Sequence, residues 1–424
     1  MPARHLPVRP DLEQLRHQAK DLLRAARRGD PAAIAELQEH HPRSIAPAHA
    51  RLADAQVALA RSYGLTSWPR LVLACRLIDA IWHDDHTTVR NLVLKHPSLL
   101  QESARGVKGC NWGPPMSYAA NLGRDSLISL LRDLGAGDTQ FAFDRAVLQG
   151  RIDTARLLAD MGARPVRDSI MGPAETLSGA GMAHLLELGA EISDAHGDRL
   201  GPVAMVLQTY ARNPSGKHEC LELLAGHGID LPDTPPMAVH RGRIDLLERH
   251  LQRDPTLPSR TFAHQEIWPL SLGCATDESL ALHGTPLGGA TLLHMTIDYD
   301  EMEIARWLLD HGASPDARAA VDVDGFGGHT PLFSSVVSQV HRGRRRHDDR
   351  YARLLLERGA NPNARASLRK RLPFTDDAST HEYRDVTPLA WGRRFHDQAW
   401  VSAVAMRLVA EAGGVDDSGL VART

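Results

Sequence analysis

A short phrase recurs along this 424-residue chain: two leucines, two or three mixed residues, then glycine, usually followed by alanine. It reads Leu130-Leu131 to Gly135-Ala136, Leu157-Leu158 to Gly162-Ala163, and Leu185-Leu186 to Gly189-Ala190. It returns as Leu223-Leu224 to Gly228, Leu308-Leu309 to Gly312-Ala313, and Leu355-Leu356 to Gly359-Ala360. Leucines at helical spacing bury one face, and the glycine falls just past the helix end, where a left-handed conformation is needed. Repetition also answers a size problem, because one compact core stops growing at roughly 250–300 residues. A chain this long either splits into domains or grows by stacking small units.

Each phrase has a second helix upstream. In the clearest unit, Thr291 to Asp316, Thr291 opens one helix with Leu293, His294 and Met295. Glu303-Ile304-Ala305 begin the next, and Asp310-His311-Gly312-Ala313 close it. Two helices this short bury their apolar faces only against neighbouring pairs. The unit resembles an ankyrin repeat, whose pattern is TPLHxAA, a glycine turn, an apolar second helix and a GA loop. Pro115-Met116-Ser117-Tyr118-Ala119-Ala120 with Gly123, Thr330-Pro331-Leu332, Thr387-Pro388-Leu389 and Ala360-Asn361-Pro362-Asn363-Ala364 carry the same resemblance. It implies an all-α solenoid of about nine irregular helix pairs over residues 75–414, the first a partial unit from Ile81 to Pro97, with a disordered tail at 415–424.

The repeats are uneven. Successive loop glycines lie 27 residues apart (135 to 162, then 162 to 189), then 39, 84, 47 and 54, against an ankyrin period of about 33. The unit at 168–193 is poor, with Gly179 and Gly181 inside a helix position, and 168–257 is degenerate enough to blur the count. Residues 1–74 fall outside the repeat. Leu12, Leu15, Ala19, Leu22 and Leu23 make an apolar stripe, and Asp30-Pro31 reads as an N-cap with proline at the first turn. Leu15-Arg16-His17-Gln18-Ala19-Lys20, Leu52 to Gln56 and Ser67-Trp68-Pro69 resemble a leader found before ankyrin repeats in many bacterial proteins. That implies a bacterial source and no known chemistry; the segment itself reads as a helical capping module, since solenoid ends need a polar outer face.

Three insertions precede late repeats, at 258–289, 320–328 and 367–385. The resemblance places them as fingers on one side of the C-terminal half. They carry Phe262, His264, Trp268, His283, Phe326, His329, Phe374, His381 and Tyr383 among Asp322, Asp324, Asp376, Asp377 and Arg384. Aromatic, imidazole and charged groups together suit a recognition surface or pocket; equally, the loops pack on one another. The binding candidates are Trp268, His283, Phe326, His329, His381, Arg384 and Trp391. If the chain is an enzyme, His294, Asp298 and His329 are the catalytic candidates, since Asp298 lies four residues after His294 on one helix face. His294 also holds the ankyrin histidine position, which implies a structural role.

Other chemistry finds little footing. There is no GxSxG, Walker or clean GxGxxG motif, so no cofactor is expected. His83-Asp84-Asp85-His86 reads as a turn. Asp322-Val323-Asp324-Gly325 lacks the later ligands of a calcium loop, and no spacing among His264, His283, His294 and His329 supports zinc, so no metal is expected. The charge of -3 gives no reason to expect nucleic acid or an anionic membrane, and Arg342 to His347 is read as a solvated turn blunted by Asp348-Asp349. Cys75, Cys110, Cys220 and Cys274 form no CxxC pair and suit a reducing cytoplasm. The first ten residues lack an apolar signal region. The reading is a cytoplasmic binding protein whose concave face and C-terminal insertions recognise a protein or peptide. The alternative is a small-molecule receptor or enzyme with its site under the insertions.

Overall fold

A computed structural model describes residues 6–105, 112–276, 283–342, 348–372 and 377–416. Cys110, Phe374, Asp376, the 343–347 part of the arginine run and residues 417–424 of the tail lie outside them. The described chain is mostly helical and divides into two units, Met1–Pro165 and Val166–Thr424.

In the first unit the helices are α1 (Leu12–Arg27), α2 (Pro31–His40), α3 (Leu52–Ser62), α4 (Trp68–Trp82), α5 (His86–Lys95), α6 (Pro115–Leu122), α7 (Asp125–Asp133), α8 (Thr139–Leu148) and α9 (Ile152–Asp160). The cap residues explain the starts. Asp11 accepts from the backbone N–H of Glu13 and Gln14, Asp30 from Ala33, Ser67 from Arg70, and Asp85 from Thr88. Each satisfies donors that a helix start leaves open. The α1 stripe buries Leu15, Ala19, Leu22 and Ala26, which join Leu59, Leu71 and Cys75 in one cluster and Leu37, Ala55 and Ala58 in another. From α6 onward the helices pair: α6 packs on α7 and on α8, and α8 on α9.

The second unit carries α10 (Met171–Thr176), α11 (Gly179–Glu187), α12 (Gly201–Gln208), α13 (Pro214–Gly226), α14 (Pro235–His240), α15 (Ile244–Arg253), α16 (His264–Ile267), α17 (Leu292–Tyr299), α18 (Met302–Asp310), α19 (Pro331–Val336), α20 (Gln339–Arg342), α21 (Arg350–Glu357), α22 (Pro388–Arg394) and α23 (Ala403–Glu411). First helices stack on first helices, α14 on α17, α17 on α19 and α19 on α22; second helices do likewise, α11 on α13 and α21 on α23. This is the solenoid arrangement, in which each pair is buried by its neighbours. All eight residues of α17 are buried. Gly179 of the poor unit has a packing reason: a Cβ there would sit 2.1 Å from Glu219 Oε2 and 2.5 Å from its Cβ.

The insertions bring the departure from an all-α fold. β1 (Thr261–Phe262) pairs antiparallel with β2 (Ala290–Thr291), and β3 (Ala366–Arg371) with β4 (Thr380–Val386), with a register irregularity between Ala366 and Leu368. On β3, Ala366, Leu368 and Lys370 are buried while Arg369 and Arg371 are exposed, the alternation of a half-buried strand. No described helix is long and apolar enough to cross a membrane.

Candidate functional site

The three insertions are joined through their backbones. Gly289 N–H donates to the Phe262 carbonyl (2.8 Å), Ala320 N–H to that of Gly289 (2.7 Å), and Gly327 N–H to that of Ser367 (2.6 Å). Arg318 Nη1 ties the second insertion to the residues that lead into the third by donating to the carbonyls of Gly328 (2.7 Å) and Arg365 (2.8 Å).

Within the second insertion, Asp322 Oδ1 accepts from the N–H of Asp324 (3.0 Å) and Phe326 (2.9 Å). Its own N–H donates to the Phe326 carbonyl (2.8 Å), so residues 321–327 close into a tight finger. Arg369 clamps that finger, with Nη2 2.7 Å from Asp322 Oδ2 and Nη1 2.8 Å from Asp324 Oδ2. Phe326 lies beneath the guanidinium groups of Arg369 (5.0 Å) and Arg384 (4.4 Å), both within cation–π range. At the finger tip Val323 is wholly exposed (103%) and Val321 60% exposed. Gly327 has φ +122°, and a Cβ there would stand 2.0 Å from the Ala320 carbonyl oxygen. Gly327→Ala should therefore cost the unit about 1–3 kcal/mol, read as a lower urea midpoint at unchanged slope.

A cleft of roughly 460 Å³ opens beside this finger, lined by Pro286 and Gly288 from the first insertion, Ala320, Phe326 and Gly327 from the second, Leu368 and Arg369 from the third, and His329. Its walls are apolar and polar in nearly equal measure, and the charged groups among them, Asp322 and Arg369, are paired with each other.

The sequence candidates separate into two sets. Phe326, His329 and Arg384 gather at the cleft. His329 donates from Nε2 to the Pro286 carbonyl (2.9 Å). Phe326 and His329 are themselves buried at the cleft wall, whereas Trp268, His283 and Trp391, also buried, lie away from it. Trp268 donates from Nε1 to Tyr299 Oη (2.8 Å) and stacks on His283 at 5.4 Å; Trp391 donates to Thr285 Oγ1 (3.2 Å) and packs edge-on against Tyr383 and Phe395. His381 is half-buried, stacked at 4.1 Å on His396 and bonded to Asp377 Oδ2 at 2.8 Å.

His294 and Asp298 are not each other's partner. His294 donates from Nε2 to the His329 carbonyl (3.1 Å), which leaves Nδ1 to accept from Thr291 Oγ1 (2.9 Å). Burial, reinforced by His329, pushes its pKa down to about 3, so the ring is neutral. Asp298 is fully buried, its Oδ2 2.8 Å from Arg212 Nη2 and its Oδ1 accepting from Ser338 Oγ (3.0 Å). Burial raises its pKa, but the charges of Arg212 and His283 and the hydrogen bonds outweigh it and leave the carboxyl below its ordinary range. Among the described residues no group of three or more His, Cys, Asp or Glu is placed to hold a metal.

Sequence reasoning missed Leu368 and Arg369 at the cleft, and the buried Arg212, Lys217 and Glu301. A signal existed for Lys217, which shares the buried stripe of α13 with Cys220, Leu221 and Leu224.

Comparison with curated proteins gives no match. Among solved structures, the ankyrin repeat domain of human ASB11 is similar at 17% identity, over 71% of this chain and 98% of that one, with a TM-score of 0.24. Residues 288–320, from the base of the first insertion through α17 and α18, match the family model for the ankyrin repeat.

Proposed function

We propose that this protein binds a protein or peptide partner through the concave face and the late insertions of its C-terminal unit, with residues 1–74 serving as a helical cap on an array of about nine pairs. One observation carries the reading. Three insertions from successive repeats, which a plain scaffold does not need, are hydrogen-bonded into one surface with a 460 Å³ cleft and, on the finger beside it, two exposed valines. The Asp322 turn bonds and the Arg369 ion pairs give the finger its shape without a partner, which reduces the ordering that opposes binding. Ankyrin repeats generally mediate protein–protein interaction. The thiols of Cys75, Cys220 and Cys274 are free and buried, with burial pushing each up to about 12, which suits a reducing cytoplasm.

A small molecule is the second reading, because the cleft lies in the ~300–1,000 Å³ range of ligand sites. The two are separated by panning a random peptide library on the protein and, in parallel, following melting temperature against nucleotides, sugars and amino acids. We expect panned peptides whose affinity falls at least about tenfold in the Val321→Asp/Val323→Asp variant, since burying each valine is worth roughly 1.5 kcal/mol or more. Both residues are exposed, so the variant should keep its melting temperature. Peptides that bind both proteins equally would sink the proposal, and a melting shift with one small molecule, absent for every peptide, would install the second reading.

A further inference from the structure

Lys217 is fully buried in the first turn of α13, and its amine has no hydrogen-bond partner among the described residues. It rests 3.6 Å from the centre of the Tyr299 ring. The charged and titratable groups around it come from four elements. The 209–213 segment supplies Arg212, whose guanidinium also lies over Tyr299 at 4.9 Å. Its own helix supplies His218, bonded to Glu301 Oε1 at 2.8 Å. Helix α14 supplies His240, edge-on to Tyr299 at 4.9 Å and bonded through Nε2 to the Ile267 carbonyl. The end of α17 and the turn after it supply Asp298, Tyr299 and Glu301, all buried.

Three pairs meet at this joint. Arg212 donates to the carbonyls of Thr209 and Ala211 as well as to the backbone and carboxylate of Asp298. Gln339 Nε2 donates to the Tyr210 carbonyl (2.9 Å), and Ser338 to Asp298. Helix α17 is buried on every side and has nowhere to go. The less enclosed side is residues 209–220, a non-helical connection with Tyr210 and Asn213 exposed, followed by the first two turns of α13, which the Asn213 side chain caps. Such ends open at lower cost than a buried helix.

We propose that residues 209–220 form a proton-operated latch, in which the uncharged Lys217 amine keeps the segment closed on α17 and proton uptake by Lys217 favours its opening. Burial is the main effect on the amine and pulls its pKa down from 10.5 to about 7; Glu301 and Asp298 oppose this and Arg212 adds to it. In the open segment water restores the ordinary value. Between about pH 7 and 10.5 the open form therefore binds one more proton than the closed form, and closure tightens as pH rises. Below pH 7 both forms are protonated and this contribution is flat. His240, which burial holds well below 6.5, acts in a separate window below that value.

The test is amide hydrogen exchange of the full chain from pH 7 to 9, corrected for the intrinsic pH dependence of exchange, in wild type and Lys217→Met. The expected result is protection of residues 209–220 that rises roughly tenfold per pH unit in wild type, is level in the variant, and is level for α23 in both. Equal slopes in the two proteins, a level wild type, or a slope shared by α23 would overturn the latch. If Lys217→Met does not fold, ¹³C-lysine spectra of wild type and Lys370→Met decide the matter: the chain has five lysines, of which Lys217 and Lys370 are buried, and a lysine titrating near 7 in both proteins supports the latch, whereas none below 9.5 in either defeats it.

Discussion

Arg212→Met should lower the stability of the C-terminal unit by about 3–5 kcal/mol at pH 7, because it strands a carboxylate in the interior. Asp298 has 2% of its side chain exposed and Arg212 8%. Ser338 Oγ and the weaker Gln339 N–H are the other donors to that carboxylate. The sign of the pH dependence identifies the cause. In wild type, Asp298 titrates below its ordinary value; its stabilisation is present above about pH 4 and is lost as pH falls through the folded-state value. Without Arg212, burial outweighs what remains, the charge of His283 and the Ser338 and Gln339 donors, and lifts the carboxyl above its unfolded value. The folded variant then takes up a proton, and its deficit against wild type should shrink from pH 7 to pH 5. Urea unfolding followed by circular dichroism at both pH values measures this. Adding Asp298→Leu should recover most of the loss, since the pair would leave together. A deficit of the same size at both pH values would assign the cost to lost packing of Arg212 over Tyr299.

Trp391→Ala is the second large effect, with an expected loss of about 3–5 kcal/mol from the cavity left by a fully buried indole. The ring fills space between Tyr383 of β4 and Phe395, each 4.8 Å away, and reaches Thr285 in the first insertion. Trp391→Phe should lose less, keeping an aromatic ring there while giving up a hydrogen bond worth about 1 kcal/mol. Peptides that bind at the cleft should bind Trp391→Phe as they bind wild type. A large loss of peptide affinity at unchanged stability would give this residue a direct contact instead.

The helix pairs were legible because leucine spacing and a terminal glycine are local signals, and a short helix pair with one apolar face has few ways to bury it. The insertions were legible as interruptions, but their strands were not. In β3 the inward positions are Ala366, Leu368 and Lys370, and a buried lysine breaks the alternation that marks a strand. The aromatic candidates divided on physical grounds. Trp268 and Trp391 carry large apolar surfaces and went to the interior with their N–H groups satisfied, while Phe326 stayed at the cleft under two guanidinium groups. Asp298 could not be read from its own helix, since its partner lies 86 residues away and no periodicity links them.

The proposal that the three insertions form the recognition surface is tested most directly by hydrogen-exchange footprinting of the whole protein with a panned peptide bound. The account predicts new protection confined to residues 286–290, 319–329 and 366–371, centred on the finger from Val321 to Gly327. Protection on the outer helices α15 or α18, with these three stretches unchanged, would contradict it.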